Sequence, residues 1–300
     1  MERNNPNTGN GRRCQTEPVF PPGPVKGDVS FMNNSSKKTW QELLRFPLGD
    51  RCQKPRNTGL TMIIDKGLGL GQTKDLLNLA GDYIDFLKLG FGTSALYYNE
   101  VLEEKIHLVR SHGVDIYPGG TFLEVAILQD KLREYLVMAR DFGFSAVEVS
   151  DGTIDLDPEI RTRAITLAAE MGFKVLTEVG KKDPQDEFEI KQIIQLVSRD
   201  IANGAAHVIV EGRESGKAVG LYDQDGNLIV SDLEELVHGL EQPDKLIWEA
   251  PLKEQQQELI LRFGPNVSIG NVNAYEILAL EALRVGLRAD TLKAVLQRQN

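Results

Sequence analysis

Four glutamates, Glu148, Glu178, Glu211 and Glu249, each stand where a short apolar run breaks off. Asp65, Lys66, Lys88, Lys181 and Arg213 hold comparable places. Carboxylates gathered without partners repel one another, and each is costly to bury. Two arrangements relieve that cost. A hard divalent cation accepts carboxylate oxygens, Mg2+ taking one or two of them plus substrate oxygens. Alternatively, the lysines and the arginine close a ring of salt bridges with no metal. His107, His112 and His238 fall on or beside helical patterns, and His207 opens an apolar run rather than closing one. Acid–base work therefore falls to a lysine or a carboxylate.

These residues need a frame that brings the ends of separate runs together. The runs are residues 60–67, 83–90, 115–121, 146–153, 174–182, 207–215, 245–251 and 266–271, and stretches with helical periodicity separate them. The spacing predicts a helix over 122–143 ending at Gly143, one over 157–172 with Asp157 as N-cap and Pro158 at its first position, and one over 273–286. Strands alternating with helices at this count imply an α/β fold, the parallel eight-stranded (β/α)8 TIM barrel, over residues 60–286. In such a barrel the strand ends open on one face, where active sites are built. An open doubly wound sheet is the other architecture considered. The connection 212–230, with Ser215-Gly216 and Asp225-Gly226, is expected to act as a mobile lid.

Gly67, Gly69 and Gly71 follow the first run, but their spacing misses G-x-G-x-x-G, and the second run ends in Lys88 rather than a ribose-binding acid. Dinucleotide binding is not expected. Gly92-Thr93-Ser94, Gly119-Gly120-Thr121 and Gly270-Asn271 could instead offer N–H or hydroxyl groups to phosphate oxygens. With the nearby cations they favour an anionic, phosphorylated substrate.

The net charge of −10 argues against nucleic-acid binding, which needs a basic face. No apolar run reaches the length of a membrane helix, and the N-terminus has no signal-peptide core. Cys14 and Cys52 form no metal-type spacing, so a reduced, cytoplasmic compartment is expected. Residues 1–38, rich in Asn, Pro, Gly and Ser, read as a disordered tail, and residues 39–300 as a single barrel domain.

Particular segments resemble the phosphosulfolactate synthase family. They are KPRNTGLTMIIDKGLGL (54–70), DYIDFLKLGFGTS (82–94), YPGGTFLE (117–124), VEVSDGT (147–153), VLTEVGKK (175–182), EGRESG (211–216), WEAP (248–251) and GPNVSIGNVN (264–273). The resemblance implies a (β/α)8 barrel lyase that joins sulfite to phosphoenolpyruvate with Mg2+, an early step toward coenzyme M. On that reading Glu148, Glu178, Glu211 and Glu249 are the candidate metal ligands. Lys181, Lys66 and Asp65 are the candidate catalytic residues, with Lys181 or Lys66 giving the proton. Lys88, Arg213, Gly119, Gly120 and Asn271 are the candidate substrate contacts. A homo-oligomer is expected. The family also includes plant heat-stress proteins without an established synthase role, and a related phosphorylated acceptor is a further alternative. Asp65-Lys66-Gly67 and Glu178-Val179-Gly180-Lys181-Lys182 favour the catalytic branch.

Overall fold

The computed structural model describes residues 39–49, 51–180, 189–212, 215–218 and 220–298. Each apolar run forms a strand: β1 (Thr61–Asp65), β2 (Phe86–Leu89), β3 (Asp115–Pro118), β4 (Ala146–Val149), β5 (Lys174–Val179), β6 (His207–Val210), β7 (Leu246–Glu249) and β8 (Ile269–Asn273). All paired strands run parallel, in the order β3-β2-β1-β8-β7-β6-β5-β4. The seam between β3 and β4 is stitched by Ser145. Its N–H donates to the Ile116 carbonyl at 3.3 Å, and its hydroxyl accepts from the Ile116 N–H at 3.1 Å. The result is a nearly closed eight-stranded (β/α)8 barrel, as the spacing predicts.

The helices are α1 (Thr39–Leu43), α2 (Leu70–Ala80), α3 (Asn99–Ser111), α4 (Gly120–Leu128), α5 (Leu132–Phe142), α6 (Pro158–Glu170), α7 (Ile190–Ala202), α8 (Val230–Gly239), α9 (Lys253–Phe263), α10 (Ile277–Arg284) and α11 (Ala289–Arg298). Asp157 caps α6 by accepting the Glu159 N–H at 2.8 Å, and Gly143 closes α5 at φ 92°. The single helix expected over 122–143 is instead two. Asp130 adopts φ 55°, and the Lys131 N–H turns back to the Ala126 carbonyl at 2.8 Å, which ends α4 before α5 begins. Among the described residues, no helix is long and apolar enough to cross a membrane.

Strand alternation accounts for the placement of the charges. Met62, Phe86, Ala146, Leu176, Ile209 and Ile247 fill the barrel interior. Ile63, Leu87, Val147, Val175, Val208 and Leu246 pack outward against the helices. Side chains alternate with period 2. The next inward positions along the chain are therefore Ile64, Lys88, Glu148, Glu178, Glu211 and Glu249, one step nearer the carboxyl ends. At the opposite end Arg56 pairs with Asp85, and Arg51 with Glu281. Arg284 there donates to the carbonyls of Pro265 and Val267.

The described part of the connection expected to be a lid is held against the barrel. Leu221 and Tyr222 are buried. The buried amide of Gln255 donates to the carbonyls of Gly216 and Gly226, at 2.6 and 3.0 Å.

Candidate active site

The carboxyl-terminal mouth holds a cavity of about 710 Å³, with Lys88, Glu148, Glu178, Glu211 and Glu249 among its lining. All five are buried. The Lys88 ammonium lies 2.9 Å from Glu148, 3.2 Å from Glu178 and 3.5 Å from Glu249. Burial alone would depress its pKa, but the three carboxylates reverse that and hold it well above the ordinary lysine value. Lys88 is thus a fixed cation bound to protein carboxylates. As a substrate contact, which is how the sequence places it, it would have to share its ammonium with them.

The four glutamates are not equivalent. Glu148 turns Oε2 to Lys88 and accepts the Gly120 N–H on Oε1 at 2.6 Å. Glu178, Glu211 and Glu249 converge instead, each offering a carboxylate oxygen within 4.8 Å of the others. Glu249 also accepts the Gly212 N–H at 3.1 Å, and its carbonyl accepts the Tyr222 hydroxyl at 2.7 Å. Burial raises the Glu249 pKa, and Lys88 opposes the rise only in part. Three buried hard-oxygen donors around one point suit a divalent cation. The structure therefore draws three of the four expected ligands together and ties Glu148 to the helix α4 terminus.

Gly119 and Gly120 line the cavity, but their N–H groups donate to Leu89 and Glu148 and so do not face a phosphate. Gly120 has a steric role: a Cβ there would stand 2.4 Å from Ser150 Oγ and 2.7 Å from Glu148 Oε1. Asn271 lines the cavity in the left-handed region at φ 53°, a costly backbone for a non-glycine residue. Lys66 is exposed at the rim, 6.0 Å from the Phe91 ring centroid. Lys181 and Arg213 lie outside the described residues.

Asp65 departs from its expected place. It shares strand parity with Ile63, so it points out of the barrel toward α3. Its carboxylate pairs with the buried Lys105 and accepts the N–H groups of Gly67 and Leu68, both at 2.7 Å. That geometry fixes the β1–α2 turn and takes Asp65 away from the mouth.

Several supporting residues escape a reading of strand ends. Buried Arg161 donates to the Glu178 carbonyl at 2.9 Å and pairs with Asp200 at 2.6 Å and Asp151 at 3.0 Å. Buried Glu124 accepts from Ser150 Oγ and from the N–H groups of Thr153 and Ile154, which shapes the loop after β4. Arg161 shares its buried helix face with Ala164, Ile165 and Ala168, and Lys105 shares its face with Leu102, Ile106 and Val109. A charge inside an apolar helical stripe was the signal available for both.

Residues 49–290 match the family model described as (2R)-phospho-3-sulfolactate synthase (ComA). The chain is 44% identical over 247 residues to the phosphosulfolactate synthase of Methanothermobacter thermautotrophicus, covering 82% of this chain and 95% of that protein. It is 45% identical over 239 residues to that of Methanocaldococcus jannaschii, covering 79% and 95%. Identity to the heat-stress-associated 32 protein of Arabidopsis thaliana is 22% over 262 residues, covering 78% and 88%. The matched span includes all eight strands and every described glutamate of the mouth, and on that ground the chain belongs to the (2R)-phospho-3-sulfolactate synthase family.

Proposed function

We propose that the chain is a cytoplasmic, homo-oligomeric phosphosulfolactate synthase, a lyase that uses Mg2+ to add sulfite to phosphoenolpyruvate and yields 2-phospho-3-sulfolactate. The observation that carries this reading is the convergence of Glu178, Glu211 and Glu249 in the mouth of a chain from this family. The much higher identity to the two synthases than to the heat-stress protein favours catalysis over a non-catalytic barrel.

Glu178, Glu211 and Glu249 would hold the cation, which when bound draws charge from the substrate carboxylate and leaves the methylene carbon open to a nucleophile. The protein's own groups do the rest. Lys88 offsets part of the carboxylate charge and fixes the orientation of Glu148 and Glu178. Arg213 is the suited partner for tetrahedral oxygens, since its guanidinium binds them in pairs. The sulfite lone pair forms the C–S bond at carbon 3, and the π pair moves toward the carboxylate. A lysine ammonium, assigned to Lys181 with Lys66 as its rival, then protonates carbon 2. Nothing leaves, and the phosphate ester stays intact. Holding both anions before they react is where the cations contribute most.

The test is to incubate the pure protein with phosphoenolpyruvate and sulfite, with Mg2+ or with excess chelator, and follow the product by phosphorus NMR. A Mg2+-dependent phosphosulfolactate signal is expected. Absence of product under both conditions would overturn the reading, and full turnover in chelator would remove the metal from it.

A further inference from the structure

We propose that Phe91 is a substrate-contacting specificity residue whose ring, together with Ile64, forms an apolar corner that receives the methylene end of the acceptor. The inference rests on the synthase reading and deepens it. Among the described residues lining the mouth, only Ile64 and Phe91 bring hydrocarbon side chains; the others are charged, hydroxyl-bearing, amide or glycine. Phosphoenolpyruvate has the matching asymmetry. Its carboxylate and phosphate are charged, and one end is a bare CH2 group, the carbon that sulfite must reach.

The backbone singles out Phe91 as well. It lies in the left-handed region at φ 56° and ψ 28°, where a bulky side chain is strained, and Gly92 follows at φ 65°. The ring is 61% exposed, so burial in the fold does not offset that strain. Neither local preference nor core packing accounts for a phenylalanine here, whereas contact with a ligand does. The neighbouring Gly90 makes the corner possible: a Cβ there would stand 2.9 Å from Ile64 Cδ1. With glycine at 90, the isoleucine has room to line the same cavity as the ring. The Lys66 ammonium, 6.0 Å from the ring centroid, adds a cation at the outer edge of the same corner.

A corner fitted to CH2 excludes a larger group. A methyl on carbon 3, as in phosphoenolbutyrate, would press on Phe91 or Ile64. The ring would also keep water from the reacting carbon, where the hydration shell would otherwise screen the charged floor.

The test compares full-length wild type, Phe91→Gly and Phe91→Tyr in steady-state kinetics with phosphoenolpyruvate and with phosphoenolbutyrate, beside thermal melts. Glycine accepts the left-handed backbone, so Phe91→Gly should melt at or above the wild-type temperature. Its kcat/KM for phosphoenolpyruvate should nevertheless fall by about tenfold or more, and its relative preference for phosphoenolbutyrate should rise by a similar factor. Phe91→Tyr should stay within about threefold of wild type, because the ring face is kept. Wild-type kinetics and preference in Phe91→Gly would overturn the inference, as would a melting temperature several degrees lower, which would show that the ring serves the fold. If wild type neither turns over nor binds phosphoenolpyruvate by calorimetry, the synthase reading itself fails and the inference falls with it.

Discussion

At the amino-terminal end of the barrel Arg56 meets Asp85 in three hydrogen bonds of 2.8, 3.0 and 3.1 Å, and Arg51 meets Glu281 in two of 2.8 and 3.1 Å. At the carboxyl-terminal end Glu148, Glu178 and Glu249 share the single ammonium of Lys88, and Glu211 joins their cluster. The first end closes its charges on each other and on backbone carbonyls, so they are spent on holding strand starts together. The second end, among its described residues, gathers four buried glutamates around a cavity. Breaking a matched buried pair destabilises the fold, whereas titratable groups gathered around a cavity are placed to meet a ligand. Substitutions should separate the two ends.

The largest effect is expected at the mouth. Lys181→Met should lower kcat by about 10²–10⁴-fold while phosphoenolpyruvate binding, measured by calorimetry, stays near wild type. If Lys66→Met shows that loss and Lys181→Met does not, the two lysines exchange roles.

The matching substitution at the other end is Asp85→Ala. It strands Arg56 in a buried position and removes the acceptor of the Thr61 N–H. Chemical denaturation should show a loss of about 3–5 kcal/mol, with kcat of the folded fraction unchanged. A kinetic defect without a stability defect would break the division between the ends.

His207, at the start of β6, sharpens it through pH. Burial, then the nearby Lys174 charge, push its pKa down to about 4. The unfolded chain takes up a proton near 6.5, and the folded protein resists doing so. Stability is therefore complete above pH 6.5 and is lost as pH falls toward 4, by about 3 kcal/mol. Denaturation curves of His207→Gln should lack that part of the slope.

The smallest effect belongs to Tyr222→Phe, which removes one hydrogen bond to the Glu249 carbonyl. A loss of about 1 kcal/mol in stability and a several-fold fall in kcat/KM are expected. A change confined to stability would mean that the latch does not orient Glu249.

The eight strands were legible because parallel strands buried on both faces give near-continuous apolar runs. The inward ring of Glu148, Glu178, Glu211 and Glu249 was legible too, since each stands two residues past an inward apolar residue. Asp65 was misplaced because its position beside the first run was read without its parity: Ile63, two residues earlier, faces the helices, and so does Asp65. The split of the 122–143 helix hid in an apolar stripe that runs across both halves and in the left-handed turn at Asp130, which no glycine announces. The latch of Tyr222 and Gln255 depends on contacts across 27 to 39 residues of chain, and local pattern does not carry these.

The central proposal, that Glu178, Glu211 and Glu249 converge to hold a cation, is tested most directly by titrating metal-free protein with Mg2+ in a calorimeter. The wild type should bind one ion per chain. Glu211→Gln should lose that binding while keeping the wild-type melting temperature, and Arg56→Lys at the other end should keep it. No binding by the wild type, or equal binding by Glu211→Gln, would contradict the account.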